Sequence, residues 1–262
     1  MGIVYEAEET ESLRRRVALK VIRAGLDTRE VVARFQLERQ ALAVMDHPAI
    51  AKVLHAGTAE SGQPYFAMEL VNGLPITRYC DLHRLSLRDR VELFIAVAQG
   101  VQHAHQKGVI HRDLKPSNVL VTEQYGSPQP KIIDFGIAKA LGPQLAEQTL
   151  VTRFGQMIGT AAYMSPEQIQ GGAGVDHRTD LYATGCLLFE AVAGRPPFNH
   201  PNLMLVLHQH MNEPVPDLRG LRPETPPALV EIITRALAKD QDERWPSAAE
   251  MLAALGAPVA AG

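Results

Sequence analysis

Apolar residues alternate with polar ones in the first part of the chain and recur at helical spacing in the rest. "RRRVALKVIRAG" alternates apolar positions around a lysine and closes on Gly25, which predicts a strand. "KVLHAGTAESGQPYFAMELVNG" predicts two strands joined by the polar turn "AESGQP". Between them one helix is expected, capped by Asp27 and Glu30, with an apolar stripe at Val31, Phe35, Leu42 and Met45. After "VNGLPI" the period becomes helical. Ser86 and Asp89 are placed to cap "LRDRVELFIAVAQGVQHAH", whose buried face would carry Val91, Phe94, Ala98 and Val101. "TDLYATGCLLFEAVAG" reads as a further helix. "TPPALVEIITRALAKD" is another, with Thr225 as N-cap and Pro226 at the first helical position. "SAAEMLAAL" follows, with Ser247 and Glu250 as a capping box.

The change of period near "MELVNG" divides the sequence into a small β-rich unit, residues 1–71, and a larger helical unit, 72–256. Residues 257–262, within "GAPVAAG", are expected to form a tail. No fixed-period repeat occurs. With 46% hydrophobic and 21% charged residues the chain can bury a core, which excludes a disordered protein. A net charge of -3 gives no pull toward nucleic acid or anionic membrane. Two cysteines, Cys80 and Cys186, make no disulfide framework and point to a reducing compartment. The stretch from Leu181 to Phe189 stops at Glu190, short of a membrane span, and the acidic beginning is unlike a signal peptide. A soluble, cytoplasmic chain is expected.

One residue breaks the first helix's stripe. Glu38 lies three after Phe35 and four before Leu42, and a carboxylate on an apolar face needs a cation. Lys20, mid-strand on the face of Ala18 and Ile22, is the candidate. A plain structural ion pair, a helix edge lapped by solvent and a catalytic pair all fit these two residues. "HRDLKPSN", His111 to Asn118, concentrates polar groups around Pro116, which forbids a helix interior and makes this an ordered loop. "KIIDFG" is an apolar strand ending in Asp134, Phe135 and Gly136. His103 and His105 lie two apart on a helix, where side chains diverge, and are read as structural. Cys186 is read as a core filler.

Taken in order, "VALK", "HRDLKPSN", "DFG" and "SPE" resemble the signature set of protein kinases, closest in wording to the eukaryotic-like serine/threonine kinases of bacteria. The resemblance covers essentially the whole chain. It implies an α+β, two-lobed fold: a small antiparallel-sheet lobe with one key helix, and a larger, mainly helical lobe. It also implies transfer of the γ-phosphate of ATP to serine and threonine hydroxyls of proteins. By the same resemblance Lys20 would hold the α/β-phosphates and Glu38 would hold Lys20. Asp113 would orient the substrate hydroxyl and take its proton, with Lys115 steadying the transferred phosphate. Asp134 and Asn118 would carry magnesium, with manganese as an alternative; the oxygen-only set and the lack of a Cys/His cluster argue against zinc. Ala18 and Leu120 would sandwich adenine, Met68 would be the gatekeeper, and Glu69 and Val71 would offer hinge backbone groups. The Glu69 side chain is expected at the surface.

Thr149, Thr152 and Thr160 in "QTLVTRFGQMIGTAAYMSPE" would lie in the activation segment. Thr160 resembles the threonine that contacts the catalytic loop, and Thr152 falls where related kinases autophosphorylate; Thr149 and Thr152 could equally be polar loop residues. Arg112, beside Asp113, could pair with a phosphate on that loop. Asp180 and the pair Glu167 with Arg244 resemble structural anchors of the large lobe. A rival reading is a kinase-fold binding module that no longer transfers phosphate, against which Lys20, Asp113 and Asp134 are all present. An unrelated nucleotide-binding enzyme finds no "GxxxxGK[ST]" loop. Protein substrates and ATP are the expected partners, without nucleic acid or membrane; dimerisation is left open.

The opening "MGIVYEAEE" is not a myristoylation signal, because Glu6 stands where Ser or Thr is needed. Gly2 and Val4 match the last glycine and the valine of the kinase glycine-rich loop, G-x-G-x-x-G-x-V. The expectation is a fold lacking its first strand and half that loop, through an internal start or a fragment, with weakened ATP binding and impaired activity.

Overall fold

The computed structural model describes residues 3–10, 14–22, 45–124, 126–135, 159–172 and 174–260, the last four of these by backbone alone. Strand β1 (Ile3–Glu9) pairs antiparallel with β2 (Arg15–Val21), Val4 standing opposite Lys20 and Glu6 opposite Ala18. β2 pairs in turn with β4 (Pro64–Glu69), and β4 with β3 (Val53–Thr58), giving the antiparallel order β1-β2-β4-β3. β1 lies at the edge of this sheet, with Ile3, Val4 and Tyr5 exposed. Its glutamates pair with β2, Glu6 with Arg16 and Glu9 with Arg15; charges of this kind blunt an open edge against mispairing. The turn between β3 and β4 closes through Ala59 N–H to Gln63 O at 2.9 Å, as the polar run "AESGQP" predicts.

Residues 70–73 lead from β4 to a second sheet, ordered β5-β6-β7: Leu74–Pro75, Val119–Gln124 and Ser127–Ile132. At Gly73 a side chain is barred, because a Cβ there would sit 2.6 Å from Val121 O. The crossing chain is therefore pressed against β6 beside Leu120.

Around this second sheet lie the helices α1 (Ile76–Leu82), α2 (Leu87–Gln106), α3 (Pro166–Ile169), α4 (Arg178–Ala193), α5 (Leu203–Asn212), α6 (Leu218–Leu221), α7 (Pro227–Ala236) and α8 (Ala248–Ala260). Ser86 caps α2 by accepting the Asp89 N–H at 3.2 Å, and Ser247 accepts the Glu250 N–H at 3.3 Å at the start of α8. α4 is buried on nearly every side, and Gly194 ends it with a left-handed φ of 77°. Arg90 fastens α2 to the end of α4, donating to Ala191 O at 2.6 Å and to Asp81 at 2.8 Å. One apolar core runs from Ile22 and Phe66 in the first sheet through Leu114 and Ile132 to Leu255 in α8. Among the described residues no helix is long and apolar enough to cross a membrane.

Two boundaries differ from the sequence reading. α7 begins one residue later than expected, with Pro226 as N-cap, because the buried Thr225 hydroxyl turns back to donate to Arg222 O at 2.7 Å. α8 continues to Ala260, through residues expected to form a tail.

His210 of α5 is fully buried, its ring edge-on to Phe198 and its Nδ1 2.8 Å from the Tyr182 hydroxyl. Burial, aided by the nearby Lys239 charge, pushes its pKa down to about 3. His111, also fully buried, is shifted downward by the same desolvation. An unfolded chain protonates these rings near pH 6.5 while the folded one refuses the proton, so the unfolded state binds more protons as pH falls. Stability is therefore expected to decline from about pH 6.5 toward pH 3, by roughly 1.4 kcal/mol per pH unit for His210, with His111 acting in the same direction. Urea midpoints measured at pH 7, 6 and 5 check this. A flat profile across that range would contradict it.

Candidate active site

Three segments converge between the two sheets. β2 brings Lys20, almost wholly buried, and its Nζ lies 2.5 Å from Asp134 Oδ1. Asp134 follows the end of β7 in a left-handed conformation, φ 64°, which a non-glycine residue adopts only when its surroundings hold it there. Phe135 beyond it packs on the His111 ring, centroids 4.8 Å apart.

The loop from His111 to Asn118 is the second segment. Arg112 is also left-handed, φ 63°. Asp180 of α4 holds this turn, accepting the N–H of His111 at 2.8 Å, that of Arg112 at 2.8 Å, and His105 Nε2–H at 2.9 Å. Burial alone would raise the Asp180 pKa, but these donors and the neighbouring His105 and His111 outweigh it and hold the carboxyl below the usual range. The buried His111 ring has a use for both nitrogens. Nε2–H donates to Ile133 O at 3.0 Å, and Nδ1 accepts Asp113 N–H at 3.2 Å, an arrangement that needs the neutral ring. Ile133 N–H in turn donates to Asn118 O at 2.9 Å, stitching the loop to the strand that presents Asp134.

Within the loop, Asp113 Oδ2 accepts from Lys115 Nζ at 3.0 Å, and Asn118 Nδ2 donates to Asp113 O at 2.8 Å. The third segment adds Thr160, whose Oγ1 is 3.1 Å from Lys115 Nζ. Downstream, Gln168 of α3 donates to Arg112 O at 2.8 Å, so the Ser165-capped helix also braces the loop. The tie from Glu167 to Arg244 is present and bidentate, both distances 2.9 Å.

These contacts leave particular atoms for a cation. Asn118 engages its NH₂ with Asp113 and Asp134 engages Oδ1 with Lys20, so the oxygens that could meet a cation are Asn118 Oδ1 and Asp134 Oδ2. Hard oxygen donors of this kind fit magnesium. Among the described residues no cluster of three or more His, Cys, Asp or Glu exists that would hold a metal instead.

Around Lys20 the strand registers gather the residues expected at a nucleotide. Val4 stands opposite Lys20, and Ala18 pairs with the buried Met68. Leu120, half-buried in β6, lies against the crossing at Gly73, with Val71 in the same crossing. Glu69 departs from expectation. Its side chain is not a free surface group: Oε2 lies 3.1 Å from Lys131 Nζ and accepts Lys52 N–H at 3.2 Å. Its own N–H donates to Lys52 O at 2.8 Å, so this backbone donor is already engaged. Gly2, Glu38, Thr149 and Thr152 lie outside the described residues. The sequence reading missed Lys131 and Gln168, for which no local motif exists; their partners are 62 and 56 positions away.

The family model of the protein kinase domain matches residues 1–254. A probable serine/threonine-protein kinase of Streptomyces coelicolor is 40% identical over 256 residues, 96% of this chain and 37% of its own length. A probable serine/threonine-protein kinase, PknB, of Lactococcus lactis is 37% identical over 96% of the chain and 39% of its own. PknB of Mycolicibacterium smegmatis is 39% identical over 93% and 39%. The chain thus spans under two fifths of the length of these curated relatives.

Proposed function

The chain belongs to the protein kinase family, and from its site we propose that it moves the terminal phosphate of ATP onto serine and threonine hydroxyls of proteins. The observation that carries this reading is the Lys115 ammonium, within 3.0 Å of Asp113 and 3.1 Å of Thr160. It supports a carboxylate poised to receive a hydroxyl proton with a positive charge beside it for the phosphate in transit.

In this reading Asp113 orients the acceptor hydroxyl and takes its proton, and Lys115 stabilises the transferred group. Lys20 meets the phosphates of the donor and keeps Asp134 aligned until they arrive. Asp134 and Asn118 would hold magnesium, or manganese, whose chemistry is to neutralise phosphate charge. Val4, Ala18, Met68 and Leu120 would wall the adenine site, with the Glu69 carbonyl and Val71 N–H as its backbone partners. A catalytic unit drawing on ATP is placed in the cytoplasm.

The test is incubation with labelled ATP, magnesium and a generic protein substrate, followed by phosphoamino-acid analysis. Phosphoserine and phosphothreonine are expected, together with modification of Thr152 in the chain itself by mass spectrometry. Absence of transfer, or phosphotyrosine alone, would overturn the assignment. An unmodified Thr152 in an active preparation would remove the autophosphorylation part.

A further inference from the structure

Glu69 ends β4, the last strand before the chain crosses to the second sheet. Lys131 lies in β7, three residues before Asp134, and is only 7% exposed. Their 3.1 Å ion pair therefore bridges the two sheets at the crossing itself. A third segment joins them. Residue 52 is bound to Glu69 twice, through Lys52 N–H to the carboxylate at 3.2 Å and through Glu69 N–H to Lys52 O at 2.8 Å. That same segment is sewn to β7 by Ala51 N–H to Ile132 O at 2.9 Å and Ile132 N–H to Ala49 O at 2.7 Å. The Lys52 ammonium is turned away to Asp46, at 2.7 Å.

We propose that Glu69 and Lys131 form a latch across the hinge, setting the distance between the backbone at residues 69–71 and the carboxylate of Asp134. Both are positioning residues; neither touches the reacting atoms. The proposal rests on the kinase reading to the extent that a nucleotide spans from this backbone to Asp134. A largely buried ammonium without its carboxylate is costly, so the pair favours the one arrangement of the crossing in which Lys131 and Glu69 meet. The first sheet would keep its strands without this contact, and the helices would keep their core. What the contact adds is the placement of one against the other.

The experiment uses the chain with Lys131→Met, which keeps the stem and removes the charge. It adds Glu69→Gln at a half-exposed position that tolerates an amide, the two combined, and Lys131→Arg, which restores a cation. Amide hydrogen exchange at residues 70–73 is read without nucleotide, with α4 amides as the control for global opening. KM for ATP and kcat are measured separately. Either single neutral variant is expected to speed hinge exchange and raise KM for ATP about fivefold or more, and Lys131→Met should change kcat by no more than about twofold. The double variant should be no worse than the worse single, and Lys131→Arg close to the original. Unchanged exchange and KM, additive singles, or faster turnover on breaking the pair would each overturn the latch. If the unaltered chain transfers no phosphate, the kinase reading fails separately, and the exchange data still decide this one.

Discussion

Asp113→Asn is expected to lower phosphoryl transfer by about 10²–10⁴-fold at saturating ATP, while the protein stays folded. The amide keeps the shape of the carboxylate and the backbone contact from Asn118 Nδ2 to Asp113 O at 2.8 Å. What it loses is the capacity to take a proton. That range corresponds to roughly 3–5 kcal/mol of barrier, larger than any stability change the substitution should cause. Lys115 loses a charged partner at 3.0 Å, but Thr160 Oγ1 remains at 3.1 Å, so about 1 kcal/mol of folding stability is at stake. Initial rates and thermal midpoints of the two proteins separate these effects. Transfer within about tenfold of the original would mean that the proton leaves by another route.

The residues of this loop were legible in advance because they are contiguous. "HRDLKPSN" places Asp113, Lys115 and Asn118 in one short stretch, and Pro116 rules out the helix interior that would scatter them. Alternation around Lys20 likewise gave β2, and the polar run after Thr58 gave the turn into β4. The long α2 is legible from its period and its Ser86 cap, and α4 from its period alone. Four-residue helices such as α3 and α6 cannot, since one turn carries no periodicity.

Pairs far apart in sequence were harder to see. Lys20 and Asp134 are 114 positions apart, and the residues alone offer Glu38 as the partner of Lys20 without deciding whether that pair is structural or catalytic. Glu69 reads as a surface side chain from the sequence, because its partner is fixed by the register of β7 on β6 and by the stitch from residues 49–51, none of which a local pattern encodes. The Thr225 boundary failed for a related reason. A hydroxyl able to cap the following helix was drawn back to Arg222 O, and only the fold decides between two such acceptors and donors.

Arg244→Met is expected to destabilise the fold more than Asp113→Asn, Lys131→Met or Glu69→Gln. The Arg244 side chain is fully buried and meets Glu167 with two bonds of 2.9 Å. It also donates to Ala238 O, Lys239 O and Arg178 O, at 2.8, 3.1 and 3.3 Å. Its guanidinium lies 4.8 Å from the centre of the Tyr182 ring. One side chain thus joins α3, the start of α4 and the segment after α7. Methionine would fill much of the space but leave the Glu167 carboxylate buried without a cation, together with three carbonyls short of a donor. Breaking such a pair from one side costs about 3–5 kcal/mol, which for a chain of this size lowers the thermal midpoint by roughly 6–20 °C. Burial tends to raise the Glu167 pKa, and the Arg244 contact more than offsets it. Without Arg244 the balance reverses, so the loss should be greatest at neutral pH and smaller once Glu167 can take a proton. Adding Glu167→Gln to Arg244→Met should recover part of the lost stability, because the stranded charge is gone. If the double variant were as unstable as the sum of the two singles, the cost would lie in the three carbonyls and not in the ion pair.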